Sequence, residues 1–333
     1  MEKLFRKSDN RLQCLLCPHL CKIVEGQTGI CGVRKNDGSR IELITYGVIS
    51  GYSLDPVEKK PLYHFFPGKN ILSIGSYGCN MRCDFCQNYH ISQKLPKSII
   101  ADSTPGEIAN NSLRATDNIG IAFTYNEPVI WFEFVKDTAK AVKDKGLYTV
   151  MVTNGYINND PLKALLEVTD AFNVDLKAFN NDFYKRLTGA SLEPVKNSLK
   201  KIAGAGRHLE ITTLLITGQN DNIREMEEQV RWIASELGKE VPFHLSRYFP
   251  MYKRDDPTTP HSTLLKHYEI ARKHLSFVYV GNTLSETGQN TICPICGTLI
   301  TTRSGYHIQH VNTDAGKCTG CGKEIYKYFT FPS

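Results

Sequence analysis

The chain has 333 residues, of which 41% are apolar, and this composition is typical of a globular enzyme with one large domain and small appendages. Its formal net charge of +6 is weak evidence for nucleic-acid binding, because thiolate-bound metals would lower that charge to about +1. The polar N-terminal segment and the lack of an apolar run of about 20 residues predict a cytoplasmic protein with no membrane span.

All eleven cysteines belong to three clusters, so they are predicted to be metal ligands. A disulfide framework is not expected, because such frameworks belong to small secreted chains. The first cluster is Cys14, Cys17, Cys21 and Cys31. Four thiolates this close in sequence suit tetrahedral zinc and also suit an auxiliary [4Fe–4S] cluster, and zinc is favoured. The proline-containing segment 36–70 is predicted to be a connection wrapped on the main domain.

The second cluster is the closely spaced triad Cys79, Cys83 and Cys86. Three thiolates leave one position open on a four-coordinate metal or on one iron of a [4Fe–4S] cube, whereas a closed structural site would have four ligands. The open position predicts that a substrate or cofactor binds to the metal. The alternative is half of a zinc site, completed by His90 or Asp84.

The middle of the chain alternates strand-like and helix-like segments. Strands are predicted over 71–75, 119–124, 147–153, 171–176, 209–217, 242–247 and 277–280, and helices from about 104 and over 128–145, 161–168, 222–237 and 262–274. Such alternation predicts parallel βαβ units that curl into a partial (β/α) TIM-like barrel. The fold class is therefore α/β, with a barrel over 71–285 between cysteine modules over 1–70 and 286–333.

Polar residues come directly after several predicted strands, where sheets of parallel strands gather their functional sites. These residues are Asn126, Glu127, Asn154, Asp175 and Lys177, and His244 lies on a later strand. Structural roles stay open for some of them. Asp175 and Lys177 would also suit an ion pair at a strand end, His244 a core position, and Asn154 a turn.

The third cluster, Cys293, Cys296, Cys318 and Cys321, consists of two Cys-x2-Cys-Gly knuckles. Its four ligands predict a closed structural site, a zinc ribbon, with iron in a rubredoxin-like site as the alternative. The aromatic residues Tyr326, Tyr328 and Phe329 near Lys323 and Lys327 would either stack on RNA bases or form the core of the ribbon.

The triad resembles the signature of the radical S-adenosylmethionine (SAM) enzymes, and its loop looks like that of the glycyl-radical-enzyme activating group. The resemblance implies that Cys79, Cys83 and Cys86 hold a [4Fe–4S] cluster whose open iron binds SAM. It implies SAM contacts for Phe85, Asn126, Glu127, Asn154, Asp175, Lys177 and His244. In this family a Gly-Gly-Glu segment contacts the SAM amino group, and here Tyr125-Asn126-Glu127 takes its place.

The spacing of the first cluster, followed by Gly29-Ile30-Cys31, resembles the AmmeMemoRadiSam-system radical SAM proteins over nearly the full length. The resemblance implies an enzyme that reductively cleaves SAM to a 5′-deoxyadenosyl radical and modifies an unidentified substrate, a protein or an RNA. It implies a low-potential electron donor of the flavodoxin or ferredoxin type as a partner, and AMMECR1-domain and Memo-like proteins as further partners. The alternatives are a glycyl-radical activase proper and a non-catalytic zinc-binding adaptor.

Overall fold

The computed structural model describes residues 4–96, 98, 102–283 and 285–331. The N-terminal segment forms two small antiparallel sheets around the first cysteine cluster. Their strands are β1 (Phe5–Ser8), β2 (Arg11–Cys14) and β3 (Lys22–Ile23) in one sheet, and β4 (Arg34–Asn36) and β5 (Ile41–Leu43) in the other. Cys14 ends β2, and Cys17, Cys21 and Cys31 lie on the connections that follow β2 and β3.

One eight-stranded sheet forms the centre of the molecule. Its strands are β6 (Gly51–Pro56), β7 (Asn70–Gly75), β8 (Asn118–Phe123), β9 (Tyr148–Thr153), β10 (Ala171–Asp175), β11 (His208–Leu215), β12 (Phe243–Arg247) and β13 (Val278–Gly281). They lie in the order of the chain, β7 to β13 being parallel to their neighbours and β6 antiparallel to β7. The predicted α/β fold class is confirmed. The edge strand β6 lies in the segment for which a plain connection was expected.

Helices connect the parallel strands, as the alternating pattern predicts. They are α1 (Tyr89–Ser92), α2 (Pro105–Arg114), α3 (Phe132–Lys143), α4 (Asn159–Val168), α5 (Asn181–Phe183), α6 (Leu192–Gly204), α7 (Ile223–Glu236) and α8 (His261–Arg272). Short 3₁₀ helices cover Val57–Lys59 and Pro128–Trp131, and a π-helix covers Tyr184–Thr188. The start of α2 is as expected. Thr104 and Glu107 form a capping box, and Pro105 is the first residue of the helix.

Both faces of the central sheet are buried. Successive residues of a strand point to opposite faces, and on β9 Met151 belongs to the large core under the helices while Val150 belongs to a second core. That second core contains Phe65 and Phe66, from the connection between β6 and β7. The connection between β6 and β7 therefore fills part of the sheet face that the helices do not cover. The polar site lies elsewhere on the sheet.

The C-terminal cysteine module packs beside the second core, which contains Phe65 and Phe66. Its strands are β14 (Thr291–Ile292), β15 (Leu299–Ser304), β16 (His307–His310), β17 (Thr313–Asp314) and β18 (Lys317–Cys318). Tyr326 is buried with Phe277 and Tyr279, and Tyr328 pairs with Phe65. Within the described ranges, no helix is long and apolar enough to cross a membrane. The proposed unit boundaries remain predictions, and residues 1–3 and 332–333 of the outer units lie outside the described ranges.

Candidate active site

The triad cysteines lie on the loop that follows β7, the first parallel strand of the sheet. The backbone N–H of Arg82 donates to the carbonyl of Thr188 at 2.7 Å, and that of Asp84 donates to the carbonyl of Leu187 at 3.0 Å. These carbonyls end the π-helix, where a helix leaves its acceptors without internal partners. The protein therefore fixes the backbone of the loop by contacts that involve no metal.

The environment of the triad thiols suits metal binding. Burial raises the pKa of Cys83 to about 12, although the nearby Lys177 ammonium opposes the shift, and burial also raises the pKa of Cys79 and of Cys86. Such thiols keep their protons at neutral pH unless a cation replaces them. Three of them on one braced loop fit an iron–sulfur cluster, whose irons would supply the positive charge.

Glu127 is the buried acid of the site and follows β8. Its Oε1 accepts hydrogen bonds from the Val129 backbone at 3.0 Å and the Thr153 hydroxyl at 2.6 Å, and its Oε2 accepts one from the Asn154 backbone at 2.8 Å. Burial outweighs these donors and raises the pKa of Glu127 to about 7. A carboxylate that ionises near neutrality in a buried site is suited to bind a cationic group.

Asn154 connects this acid to the cysteine loop. Its side-chain nitrogen lies 3.8 Å from the Cys79 sulfur and donates to the Asn80 side chain at 2.9 Å. The Glu127 charge is also close enough to Cys79 to raise the pKa of that thiol, in addition to the larger effect of burial. The structure thus brings together residues that follow three neighbouring strands, β7, β8 and β9, at one edge of the sheet.

Comparisons with known proteins agree with this arrangement. Residues 73–233 match the model of a family described as the Radical SAM superfamily. An uncharacterized protein of Methanocaldococcus jannaschii is 40% identical over 322 residues, covering 95% of this chain and 96% of that protein. A putative glycyl-radical enzyme activating enzyme of the same organism is 30% identical over 217 residues, covering 62% of this chain and 79% of that protein. The chain belongs to the radical SAM superfamily.

A solved structure supports the fold. The crystal structure of a radical SAM methyltransferase from Sphaerobacter thermophilus superposes with a TM-score of 0.52 at 17% identity, covering 65% of this chain and 67% of that chain. Members of the superfamily are enzymes, so the prediction of an enzyme is confirmed, and the adaptor alternative is set aside. Membership also implies SAM and a [4Fe–4S] cluster as cofactors.

Two of the predicted SAM contacts, Asn126 and Phe85, take part in the packing of the triad loop. The Asn126 side chain accepts from the Ser76 backbone at 3.0 Å and donates to the Gly78 carbonyl at 3.1 Å, so both ends of the amide brace the loop. Phe85 is buried, with its ring centroid 5.9 Å from that of Phe183. A role for either side chain toward SAM remains a prediction.

Asp175 and Lys177 form the ion pair that was kept open as a structural alternative, with 2.7 Å between the Asp175 Oδ2 and the Lys177 Nζ. The pair is also part of the site, because the Lys177 charge acts on the Cys83 thiol. One ammonium therefore faces both a carboxylate and a cysteine of the triad. The described contacts fit both a structural ion pair and a role of the pair in binding SAM.

His244 lies in a different polar cluster. Its Nε2 is 2.6 Å from the Glu210 Oε2, and its ring packs edge-on against Tyr63. Glu210 also accepts from the backbone N–H of Tyr63 at 3.0 Å, from that of His64 at 2.7 Å and from the His208 ring at 2.9 Å. Within the described chain, no hydrogen bond joins His244 to the triad loop. A contact of His244 with SAM remains a prediction.

The sequence did not point to Glu210, and it marked Tyr125 only as a bulky residue in place of a glycine. Glu210 is a fully buried acid within the apolar strand β11, and an acid in such a run was an available signal. Tyr125 has a φ of +73°, a conformation that favours glycine, and its hydroxyl donates to Asp55 at 2.8 Å. The ammonium of Lys60 lies 4.8 Å from the centroid of the Tyr125 ring. These contacts hold a bulky residue where the family has glycine.

The C-terminal cysteines form a compact group. The sulfurs of Cys293 and Cys321 are 3.5 Å apart, and those of Cys296 and Cys318 are 3.6 Å apart. All four sulfurs lie within 4.8 Å of one another. A single tetrahedral ion with bonds of about 2.3 Å holds its sulfurs about 3.8 Å apart, so the group fits one metal ion.

Proposed function

We propose that this radical SAM enzyme binds SAM beside Cys79, cleaves it reductively and modifies a macromolecular substrate, within the AmmeMemoRadiSam system. The observation that carries the proposal is the convergence of Glu127 and Asn154 on the triad loop, since both lie beside Cys79. The cluster on Cys79, Cys83 and Cys86 would supply the electron that cleaves SAM to a 5′-deoxyadenosyl radical, which abstracts hydrogen from the substrate.

The residues of the site suit the parts of SAM. The buried Glu127 carboxylate would accept hydrogen bonds from the amino group once it ionises, at and above neutral pH. Asn154 would contact the carboxylate or the ribose. The hydroxyl of Ser76, on the same loop, is buried without a hydrogen-bond partner among the described residues and would be available to a ligand. His244 would orient the adenosyl group while its ring stays hydrogen-bonded to Glu210.

A protein substrate is better supported than an RNA. Recognition of RNA bases was based on Tyr326, Tyr328 and Phe329, yet Tyr326 is buried and donates to the Thr301 hydroxyl at 2.7 Å. Tyr328 and Phe329 are half-buried against Phe65 and His310. Tyr326 and Phe329 belong to the core of the C-terminal module, and Tyr328 packs on the core around Phe65. The similarity to a putative glycyl-radical enzyme activating enzyme also favours a protein, including the case of an activase proper.

The partners are part of the proposal. A one-electron donor of the flavodoxin or ferredoxin type would reduce the triad cluster, and AMMECR1-domain and Memo-like proteins would act with the enzyme. The C-terminal cysteines would hold zinc, which closes its ligand shell with four thiolates and stabilises the module. The absence of an open ligand position gives this zinc a structural role.

The proposed activity is tested by incubating the iron-reconstituted protein anaerobically with SAM and a strong reductant. We expect 5′-deoxyadenosine from the wild type and none above background from Cys83→Ala, because the variant lacks one of three cluster ligands. Cys296→Ala, in the C-terminal cluster, is the matched control and should retain the activity. Equal deoxyadenosine from the wild type and Cys83→Ala would refute the role of the triad. A fully loaded wild type that neither binds nor cleaves SAM would refute the function.

The affinity for SAM should depend on pH through Glu127. Its pKa of about 7 means that the carboxylate loses its charge below neutrality, so its attraction to the SAM ammonium weakens as the pH falls. We expect the dissociation constant to rise about tenfold between pH 8 and pH 6 in equilibrium dialysis. The Glu127→Gln variant should bind weakly with a flatter pH profile, and Glu193→Gln, at an exposed position, should behave as the wild type. An unchanged slope in Glu127→Gln would contradict the role.

A further inference from the structure

The four N-terminal cysteines surround one enclosed cavity that the activity proposed above does not use. Its lining combines the four sulfurs with apolar side chains and one buried guanidinium: Cys14, Cys17, Cys21, Cys31, Leu16, Ile23, Ile130 and Arg34. All four thiols line the same cavity, so they belong to one site. A site with this donor set is built for a thiolate-bound metal centre.

The spacing of the sulfurs distinguishes between the two kinds of centre. Among the described residues, the Cys293 group is the one set of three or more candidate ligands whose atoms all lie within 4.8 Å of one another. No three of the N-terminal sulfurs meet that spacing, although they share a cavity. A single zinc ion requires about 3.8 Å between its sulfurs, whereas a cube of four irons holds each thiolate on a different iron and therefore farther apart.

The triad provides an internal reference for this comparison. Cys79, Cys83 and Cys86 hold the [4Fe–4S] cluster that the superfamily implies, and their sulfurs also fail the 4.8 Å spacing. Among the described residues, neither the N-terminal set nor the triad is as compact as the C-terminal set. The sequence analysis favoured zinc at the first cluster over an auxiliary [4Fe–4S] cluster. It could not separate the two, because spacing along the chain carries no information about the distances between sulfurs in the fold.

The surroundings of the site stabilise an anionic centre. The buried guanidinium of Arg34 lines the cavity and acts on Cys14. Arg34 is held by two hydrogen bonds of 2.6 Å to Glu133, which fix the cation beside the cavity. Nearby charge is one of the features by which proteins adjust iron–sulfur clusters.

We propose that Cys14, Cys17, Cys21 and Cys31 hold a second [4Fe–4S] cluster, which transfers electrons to the cluster of the triad. The two sites are in direct contact. A Cβ on Gly78, the residue before Cys79, would lie 2.5 Å from the carbonyl oxygen of Cys31. The His19 ring also lies 2.7 Å from the carbonyl oxygen of Asn80.

The N-terminal site reaches the surface of the protein at one cysteine. Cys21 is partly exposed, and Leu20 and Ile30 beside it are exposed. A low-potential one-electron donor would lose one electron to the second cluster. That cluster would be reoxidised as it passes the same electron to the first, so no proton or bond changes at this step. The N-terminal module is thereby the place where electrons enter the enzyme.

The test counts metals in protein purified anaerobically without reconstitution. We expect about eight irons and one zinc per chain in the wild type, and about four irons and one zinc in Cys17→Ala. The decisive variant is Cys83→Ala, which leaves the N-terminal site intact. It should retain about four irons and show the paramagnetic resonance signal of a reduced [4Fe–4S] cluster that SAM does not alter. About four irons and two zincs in the wild type would overturn the proposal.

A second outcome would also overturn it, namely a Cys83→Ala variant that holds no iron. Failure of the proposed SAM cleavage would be a separate result. A wild type that forms no deoxyadenosine says nothing about the iron that Cys83→Ala holds at the N-terminal site. The electron-transfer role is read from the rate at which the triad cluster is reduced by a one-electron donor. We expect this rate to fall at least tenfold in Cys17→Ala, with SAM affinity unchanged, and an equal rate would reject that role.

Discussion

Replacing Glu210 with glutamine is expected to lower the free energy of unfolding by about 3 to 5 kcal/mol. The carboxylate accepts four hydrogen bonds in a site with no exposure to solvent, two of them from backbone N–H groups and two from histidine rings. Glutamine would turn an NH2 group toward some of these donors and leave them unsatisfied. The connection before β7, which fills one face of the sheet, would lose its anchor.

Urea denaturation of the two proteins measures the difference. Glu193→Gln is the matched control, because the Glu193 side chain is 66% exposed in its ion pair with Lys196, and its change should stay within about 0.5 kcal/mol. If Glu210→Gln lost as little free energy of unfolding as Glu193→Gln, the buried acid would be dispensable. A Glu210→Gln variant as stable as the wild type would lead to the same conclusion.

The effect of Glu210 should also depend on pH. Burial alone would raise its pKa, but donation from His208 and His244 outweighs burial and holds the pKa well below its usual range. A depressed carboxyl pKa stabilises the fold above the unfolded pKa of about 4.3, and this contribution is lost as the pH falls through the folded value. The difference in stability between wild type and Glu210→Gln should therefore shrink in acid below about pH 4.

Replacing Gly78 with alanine is expected to destabilise the protein by about 3 kcal/mol and to displace the triad loop. The residue has a φ of +85°, and a Cβ there would lie 2.5 Å from the Cys31 carbonyl oxygen and 2.9 Å from the Val33 side chain. Because the nearest atom belongs to the backbone, the cost includes moving the N-terminal module away from the triad. Iron bound to the triad should fall together with stability.

Gly26→Ala is the matched control for this prediction. Gly26 has a similar φ of +77°, but no atom lies within 4 Å of its ideal Cβ position. Its substitution therefore tests backbone strain alone and should cost about 1 kcal/mol, with the iron content unchanged. Equal losses of stability and iron in the two variants would mean that the contact between the cysteine sites is unimportant.

The elements with strong local signals were predictable from the sequence. The start of α2 follows from its capping residues, and the parallel strands follow from apolar runs between helices. The helix α6 was missed. The strand β6 was missed because it forms by pairing with β7, a long-range contact that its own residues do not encode.

The site was predictable in its residue types and less so in its contacts. Glu127 and Asn154 lie beside Cys79 as the strand-end rule predicts. Asn126 was indistinguishable from them, because an amide that braces a loop and an amide that binds a ligand have the same donors and acceptors. The partner of His244 could not be foreseen, because Glu210 lies on a different strand and only the packing of β11 and β12 joins them.

The positive φ of Tyr125 has a consequence for recognising distant relatives of this enzyme. A sequence pattern that requires two glycines before the glutamate would pass over this chain, although its backbone makes the turn that glycine normally makes. Asp55 and Lys60, some 65 to 70 residues earlier, hold the tyrosine in place. Loss of glycine at such a turn is therefore best searched for together with the distant acid–base pair that compensates for it.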